Sequence, residues 1–312
     1  VFAGGFDLRA AEVVCAAGAI EASDVVDLLS SLVDKSVVMV ERHPQRVRYR
    51  VLETLRQFGE EQLDNAAASE VRQHHLRHYV DVAEEADTLF RTALQMNGAA
   101  TFDREWDNLR VAHEWAIATT DLAQAERLIN ASFPYAYSAN RLEHGNWVEQ
   151  AITLDTPDHP PSPDTFAKGA LWAYTIENIV RGDELLHRGI DLALLTDSPG
   201  AVMCWALADP GEHPGVPDPF ARLEAAATNL DLDREWWVLE QLADKAWSRG
   251  SDVRSVHLAR LVETADRVRA PTLMVKYAAP SADSTRLCIR RRTYSAACNS
   301  ARYTRSLWAR RR

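Results

Sequence analysis

Apolar residues near the start of the chain recur with the period of a helix. Residues 24–63 read DVVDLLSSLVDKSVVMVERHPQRVRYRVLETLRQFGEEQL, and the apolar positions in their first third lie three and four residues apart. This spacing places them on one face of an amphipathic helix, for which Ser23 or Asp24 is the expected N-cap. The predicted buried face consists of Val25, Leu28, Leu29, Leu32 and Val33.

The pattern then changes to that of a β-hairpin. Residues 37–40 are rich in β-branched residues, residues 41–45 form a polar stretch with a proline, and residues 46–51 alternate Arg with Val or Tyr. Such an order predicts two strands joined by a turn. A further amphipathic helix is predicted from Leu52. Helix, strand, wing, strand and helix in that order indicate a small winged-helix domain.

Beyond residue 66 the apolar spacing is almost entirely helical, so the expected fold class is mainly α. Ser69 and Thr101 are the expected N-caps of the first two long helices. Apolar helices of about four turns then end at two glycine-containing breaks, Arg181–Asp183 and Arg249–Asp252. Paired helices with such breaks are typical of irregular tetratricopeptide-like hairpins.

These patterns predict four segments. Residues 1–66 form the winged-helix domain, residues 67–155 a helical linker with the first hairpins, and residues 164–270 the tetratricopeptide-like array. Residues 278–312 form a basic tail. The proline-rich stretch between 156 and 163 separates the two helical segments.

Charge is distributed unevenly along the chain. Of 35 basic and 45 acidic residues, nine arginines lie in 284–312, where there is no Asp, Glu or Lys. The body before this tail therefore has a net charge of −19. The tail is interpreted in three ways: a nucleic-acid-binding arm, a disordered terminus, or the product of a shifted reading frame. The start, which has no initiator Met, suggests a fragment of a longer protein.

Composition narrows the classes of protein that fit. The longest apolar run is far shorter than the roughly 20 residues that span a bilayer, and no signal peptide is recognisable. The four cysteines are scattered without the spacing of a disulfide framework or zinc site. A cytoplasmic protein without a membrane partner is expected.

The winged helix raises the question of DNA binding. The helix before the wing would be the recognition helix, but it carries Asp24, Asp27 and Asp34 against a single Lys35. Such a face repels phosphate. Candidate contacts to a phosphate backbone lie instead on and beside the wing, at Arg42, Arg46, Arg48 and Arg50.

Aromatic residues in the helical array are candidates for partner recognition. Trp172 and Tyr174 lie in one predicted hairpin, and Trp236 and Trp237 in a later one. Tryptophan and tyrosine are enriched at the centres of interfaces. The alternative is that all four are core residues.

Three histidines, His74, His75 and His78, are close enough in sequence to suggest metal binding. No carboxylate or cysteine accompanies them at ligand spacing, so histidines in the core or at its edge are expected, with no metal site.

Four sequence blocks resemble a known family. They are FAGGFDL, LVDKSVV, YRVLETLRQFGEEQL and WDNLRVAHEWA. In this order and spacing they resemble the central region of LuxR-family bacterial transcriptional regulators, in which a signal-transduction ATPase (NB-ARC-like, STAND) is followed by a winged helix and tetratricopeptide-like helices. The resemblance covers about residues 1–200 and is strongest over 1–118.

The family's catalytic motif is missing from this chain. There is no G-x-x-x-x-G-K-[ST] phosphate loop, so no cofactor is expected. Where related ATPases carry a Met-His-Asp triplet that touches ADP, this chain has Val51-Leu52-Glu53. No LuxR-type helix-turn-helix follows the repeats.

The sequence therefore predicts a non-catalytic fragment of an ATPase-linked transcriptional regulator, acting as a regulatory and protein-interaction module. Its partner would be the missing NTPase domain or another protein, and DNA would be reached only through the full-length regulator. The alternatives are a stand-alone helical-repeat scaffold and a nucleic-acid binder that uses the wing and the tail. An enzyme is not expected.

Overall fold

The computed structural model describes residues 1–16, 20–43, 46–62, 65–196, 201–246 and 251–273. These residues are mostly helical with one small two-stranded sheet, which confirms the predicted mainly α fold with a winged-helix-like part. The tail predicted over 278–312 lies outside the described residues.

The winged helix contains α1 (Leu8–Cys15), α2 (Ala22–Asp34), β1 (Val38–His43), β2 (Arg46–Val51) and α3 (Glu53–Gln62). The helical part comprises α4 (Asn65–Phe90), α5 (Gln95–Ala118), α6 (Leu122–Ser138), α7 (Glu143–Ile152), α8 (Pro163–Thr175), α9 (Ile179–Leu195), α10 (Val202–Leu207), α11 (Pro219–Ala227), α12 (Trp236–Lys245) and α13 (Ser251–Val268).

Helix α2 begins earlier than its predicted cap. Its N-cap is Glu21, which forms a capping box with Asp24: each side chain accepts a hydrogen bond from the other's backbone N–H. The expected caps Ser23 and Asp24 are therefore wrong, because both residues lie inside the first turn. Asp24 still satisfies an N-terminal donor, but from the third helical position.

The hairpin is longer than the sequence pattern indicates. Strands β1 and β2 are antiparallel and pair from Val38 with Val51 to His43 with Arg46. The strand therefore includes Glu41–His43, which were expected to be part of the turn. Phe6 forms a single antiparallel bridge to β2: its N–H lies 2.9 Å from the Tyr49 oxygen, and the Tyr49 N–H lies 2.7 Å from the Phe6 oxygen.

The winged helix has its own hydrophobic core. The members of this core come from the segment before α1 and from α1, α2 and β1, and they are Phe6, Ala10, Ala11, Val25, Leu29 and Val38. Only part of the predicted α2 stripe is buried, since Leu28 and Leu32 remain 48% and 39% exposed.

The long helices α4 and α5 begin before their predicted caps, at Asn65 and Gln95 rather than Ser69 and Thr101. Alanine-rich residues precede both predicted caps, and alanine propagates a helix readily. Helices α5 and α6 pack through a stacked pair, Phe102 and Tyr135, whose ring centroids are 4.9 Å apart.

The turn between α8 and α9 lies before the predicted break. Arg181–Asp183 is within α9, and the chain reverses at Glu177, whose φ is 62°. The Asn178 N–H donates to the Ala173 oxygen at 2.9 Å, and the Asn178 side chain accepts from the Arg181 N–H at 3.3 Å. Together with the Glu177 N–H, which donates to the Tyr174 oxygen at 3.1 Å, these bonds form a Schellman motif that is followed directly by an N-cap. The prediction failed because a glycine that allows close packing resembles a helix break.

The chain divides into two compact units. The first comprises residues 1–89 and 96–139, and the second comprises residues 90–95 and everything from 140 onward. The winged helix thus belongs to the same unit as most of α4, α5 and α6. Across the described ranges, each helix is too short or too polar to span a membrane.

Candidate functional site

The wing does not present all four predicted arginines to solvent. Arg42, Arg46 and Arg50 are exposed, whereas the side chain of Arg48 is only 8% exposed. The expectation that Arg48 contacts a phosphate backbone is therefore corrected. Its guanidinium faces α5 of the same unit and donates hydrogen bonds to Glu105 there.

Arg48 of β2 forms a buried, two-pronged ion pair with Glu105 of α5. Arg48 Nη1 donates to Glu105 Oε1, and Nη2 lies 3.1 Å from Glu105 Oε2. Both side chains are 8% exposed. Arg104 Nε adds a third donor, 2.8 Å from Glu105 Oε1. Arginine suits this position because its planar guanidinium matches both carboxylate oxygens at once.

The segment before α1 is held by the same cluster. Arg48 Nη2 donates to the Gly5 oxygen. A Cβ on Gly5 would lie 3.1 Å from Arg48 Nε and 3.4 Å from the Tyr49 oxygen, so a side chain there would crowd the guanidinium. Glycine at this position therefore allows the close approach of Arg48.

Asn108, which is completely buried, links this segment to α5 through backbone groups. Its Oδ1 accepts from the N–H groups of Ala3 and Gly4 at 3.1 and 3.3 Å. Its Nδ2 donates to the Gly5 oxygen at 3.1 Å and to Glu105 Oε2 at 3.2 Å. We name Arg48, Glu105, Asn108 and the Ala3–Phe6 segment the junction cluster.

Aromatic side chains flank the junction cluster. The Phe2 ring stacks on the Phe6 ring, with the two ring centroids 4.2 Å apart. The Phe2 centroid also lies 5.6 Å from the centroid of the His75 ring and 6.4 Å from that of the Tyr79 ring, both on α4. Burial lowers the pKa of His75 to about 3, so the ring is neutral near pH 7. The Tyr79 hydroxyl is also buried, which raises its pKa well above the usual value.

The outer face of α2 is acidic and apolar. Asp24, Asp27 and Asp34 are exposed, and Val26 and Leu28 expose 40% and 48% of their surface beside them. Such a surface repels a phosphate backbone and is suited to a protein with apolar and basic groups.

The aromatic candidates in α8 have structural partners. Trp172 is only 4% exposed, and its indole N–H donates to His144 Nδ1 at 3.2 Å. It is a core residue, so the expectation that it contacts a partner is corrected. Tyr174 is half-buried, and its hydroxyl donates to Asp183 Oδ1 at 2.8 Å.

Trp236 and Trp237, at the start of α12, are both half-buried. The Trp237 indole N–H donates to Glu235 Oε2 at 2.7 Å, and Arg91 Nη1 lies 2.9 Å from the same oxygen. The exposed parts of the two rings keep them as candidates for partner contact.

The three histidines of α4 occupy different environments. His75 is buried, whereas His74 and His78 are half-buried. Over the ranges that the structure describes, there is no group of three or more His, Cys, Asp or Glu side chains that could hold a metal ion.

Sequence reasoning missed Glu105, Asn108 and Gly5. A usable signal existed, because Gly5 lies in FAGGFDL and Asn108 in WDNLRVAHEWA, two of the blocks that carry the family resemblance. The pairing itself could not be inferred, since the partners are separated by 57 and 103 residues.

Three curated proteins are similar to part of this chain. They come from Mycobacterium bovis (strain ATCC BAA-935 / AF2122/97) and Mycobacterium tuberculosis (strains CDC 1551 / Oshkosh and ATCC 25618 / H37Rv), and each is named "Putative HTH-type transcriptional regulator". The identity to each is 33% over 152 residues, which is 48% of this chain and 17% of the relative. The matched region thus spans only a small part of these relatives. No family model and no solved structure matches the chain.

Proposed function

We propose that this chain is a non-catalytic regulatory segment of a bacterial transcriptional regulator of the LuxR-family, ATPase-linked type. The observation that carries the proposal is the junction cluster. Gly5, Arg48 and Asn108 come from or directly adjoin three of the blocks on which the family resemblance rests, and their side chains or backbone groups meet in one buried network. These blocks are far apart in the sequence, but each contributes or adjoins a residue of the same buried network.

The similarity to the three mycobacterial proteins supports the transcriptional part of the proposal. Each of them is named as an HTH-type transcriptional regulator. A role in transcription therefore fits this chain better than a role as a stand-alone helical scaffold, which is the first alternative.

In this proposal the winged helix packs against an NTPase domain and does not read DNA itself. The exposed face of α2 supports this idea, because it combines apolar side chains with three carboxylates. Helix α3 supports it as well: Phe58 is 60% exposed and Leu52 just before the helix is 47% exposed. Large apolar groups concentrated on one small domain are typical of a docking surface.

The helical array would receive a protein or small-molecule signal. Trp236 and Trp237 are the candidate contacts, since they are half-buried and large aromatic side chains dominate interface energetics. Tyr174 is a weaker candidate because Asp183 already holds its hydroxyl.

A nucleic-acid binder remains the second alternative, and a specific observation favours it. Arg42, Arg46 and Arg50 are exposed on the hairpin, and each could contact a phosphate. This alternative predicts salt-dependent binding without sequence preference.

Two titrations of the purified chain test the proposal. With a fluorescent ATP analogue and Mg²⁺, we expect no saturable binding, because the chain has no phosphate loop; micromolar binding would contradict the non-catalytic assignment.

With fluorescent duplex DNA, we expect no sequence-specific binding. If binding appears, Arg42→Ala/Arg46→Ala/Arg50→Ala and Leu28→Arg distinguish its source. Loss only in the wing variant would favour the nucleic-acid alternative, and loss of specific binding in Leu28→Arg would show that α2 reads DNA.

A further inference from the structure

The small sheet has one edge that Phe6 covers and one edge that faces outward. Phe6 and Tyr49 exchange two backbone hydrogen bonds, so the N–H and C=O of Tyr49 point away from β1. Tyr49 is also the partner of Val40 in β1, and this pair is therefore one of the non-hydrogen-bonded pairs of the ladder. Because backbone groups alternate in direction along a strand, those of Val38, Val40 and Arg42 point to the outer edge of β1.

The outer edge of β1 is available for pairing. Among the residues that the structure describes, these outward N–H and C=O groups have no hydrogen-bond partner. Met39 is 41% exposed on one face of the strand, and Arg42 is exposed on the other. An edge with unpaired backbone groups is a template for a strand of another chain.

We propose that the outer edge of β1 binds β1 of a second copy of this chain, in an antiparallel pair whose twofold axis passes through Val40. Twofold dimers are the commonest homo-oligomers, and they use one self-complementary surface twice. The interface is the edge of the sheet and not the exposed face of α2, so it does not depend on the proposed function.

The charges of β1 select this register. With the axis at Val40, Glu41 lies opposite Met39 of the second copy, and Arg42 lies opposite Val38 of the second copy. An axis at Glu41 or Arg42 would place that residue opposite its own counterpart, and a parallel pair in register would bring both pairs of like charges together. Like charges directly opposite each other destabilise a sheet, so these arrangements are disfavoured.

Backbone geometry separates the Val40 axis from the neighbouring one at Met39. An axis at Met39 would place Arg42 opposite Ser36 of the second copy, and Ser36 has a φ of 59°, outside the β region. The axis at Val40 uses only residues within β1. It lets all three outward-facing residues exchange backbone hydrogen bonds with the second copy, whereas the axis at Met39 leaves Arg42 without them.

The dimer should be weak and reversible. Two paired edge strands bury less than the roughly 1,200 Å² of a standard interface, so we expect a Kd on the order of 100 µM. Sedimentation velocity of the purified full chain, from about 5 to 500 µM, should therefore show a shift from monomer to dimer.

Two substitutions of Val40 test whether the edge carries the association. Val40→Pro removes the N–H at the centre of the interface, but no bond of the hairpin, and proline is tolerated where a strand N–H faces outward. Val40→Thr keeps the N–H and the β-branched shape. We expect the Kd to rise at least about tenfold in Val40→Pro and to stay within about threefold in Val40→Thr. Circular dichroism checks that both variants fold.

Cysteine pairing tests the register. Met39→Cys and Glu41→Cys chains, mixed and oxidised, should form a disulfide, because opposed residues have Cα atoms about 4.5–5.5 Å apart. In Glu41→Cys alone the two new cysteines would be about 8 Å apart, too far for the bond. We expect at least about tenfold more linked dimer in the mixture. Mass spectrometry of the linked peptides distinguishes this bond from bonds of the native cysteines.

Three results would overturn the proposal. The first is a monomer over the whole concentration range. The second is a dimer that Val40→Pro weakens no more than Val40→Thr does, which would place the contact on another surface. The third is disulfide formation in Glu41→Cys alone that equals that of the mixture, as expected for random collisions. The cysteine result is decisive even if Val40→Pro does not fold.

Discussion

Gly182 of α9 lies directly against the ring of Tyr174 in α8. A Cβ on Gly182 would overlap the ring, coming within 2.9 Å of Cζ and nearer still to Cδ1 and Cε1. The ring cannot easily move away, because its hydroxyl donates to Asp183 Oδ1 at 2.8 Å. The close approach of these two helices therefore depends on the absence of a side chain at position 182.

Replacing this glycine should destabilise the α8–α9 hairpin. We expect Gly182→Ala to lower the free energy of unfolding by about 1–3 kcal/mol, the range for overpacked sites. Urea unfolding followed by circular dichroism measures the change. Gly59→Ala is the matched control, since Gly59 is also helical but a Cβ added there would have no atom within 4 Å; it should cause no loss. Equal stability of Gly182→Ala and the unaltered chain would contradict the packing argument.

The turn between α5 and α6 holds a β-branched residue in an unfavourable conformation. Thr120 has a φ of 55°, in the left-handed region that costs a non-glycine residue about 1–2 kcal/mol. Thr120→Gly should therefore raise the free energy of unfolding by up to about 1 kcal/mol. Thr119→Gly, one residue earlier and without a positive φ, should lower it. A loss of stability in Thr120→Gly would show that the left-handed strain is not the dominant effect there.

The buried ion pair predicts that Arg48 and Arg50, two arginines of the same strand, contribute very differently to the free energy of unfolding. Arg48→Ala leaves Glu105 buried without its main partner, so we expect a loss of about 3–5 kcal/mol. Arg50→Ala removes an exposed arginine from the same strand and should change the stability by less than about 0.5 kcal/mol. Chemical denaturation of both variants tests this. Similar effects of the two substitutions would argue against the buried pair.

Acid should destabilise the unit that contains His75. The pKa of His75 is about 3 in the folded chain, because burial disfavours the charged ring, against an ordinary value of 6.5. Between these values the unfolded state binds more protons, so stability falls as the pH drops below about 6.5, by up to about 1.4 kcal/mol per pH unit. Burial also lowers the pKa of His78, which lies in the same unit and adds to the same trend.

The contribution of His75 is isolated by comparing how steeply the free energy of unfolding depends on pH in the unaltered chain and in a His75 variant. His75→Leu should flatten the dependence of unfolding free energy on pH between about 6.5 and 4, whatever its stability at pH 7.5. If His75→Leu keeps the full slope, His75 is not the buried neutral group that the structure indicates.

The sequence predicts the winged helix because its signals are local. Helical spacing in α2 and the alternation in β2 report directly on elements whose residues are adjacent in the chain. The arginine alternation is nevertheless misleading at Arg48. A strand face that looks solvent-exposed by its polarity can be buried if a carboxylate far away in sequence covers it, and Glu105 does so here.

The helical region is harder to delimit from sequence. In the sequence, Gly182 resembles a helix break, but in the structure it allows close packing against Tyr174. The turn itself lies at Glu177, where there is no glycine or proline to mark it. Trp172 shows the same limit, because an aromatic residue on a helix can face the core or a partner. Only the neighbouring helix, which supplies His144, distinguishes the two.

The central proposal, that this chain is a segment of a transcriptional regulator whose winged helix does not read DNA, is tested most directly at its native locus. Chromatin immunoprecipitation with sequencing, using an epitope tag on the native reading frame, measures where the protein lies on the genome. We expect discrete enriched promoters, and we expect the same promoters when Arg42, Arg46 and Arg50 are all replaced by Ala. Absence of enrichment over an untagged strain would contradict a role in transcription, and loss of the sites in the triple variant would show that the wing itself binds DNA.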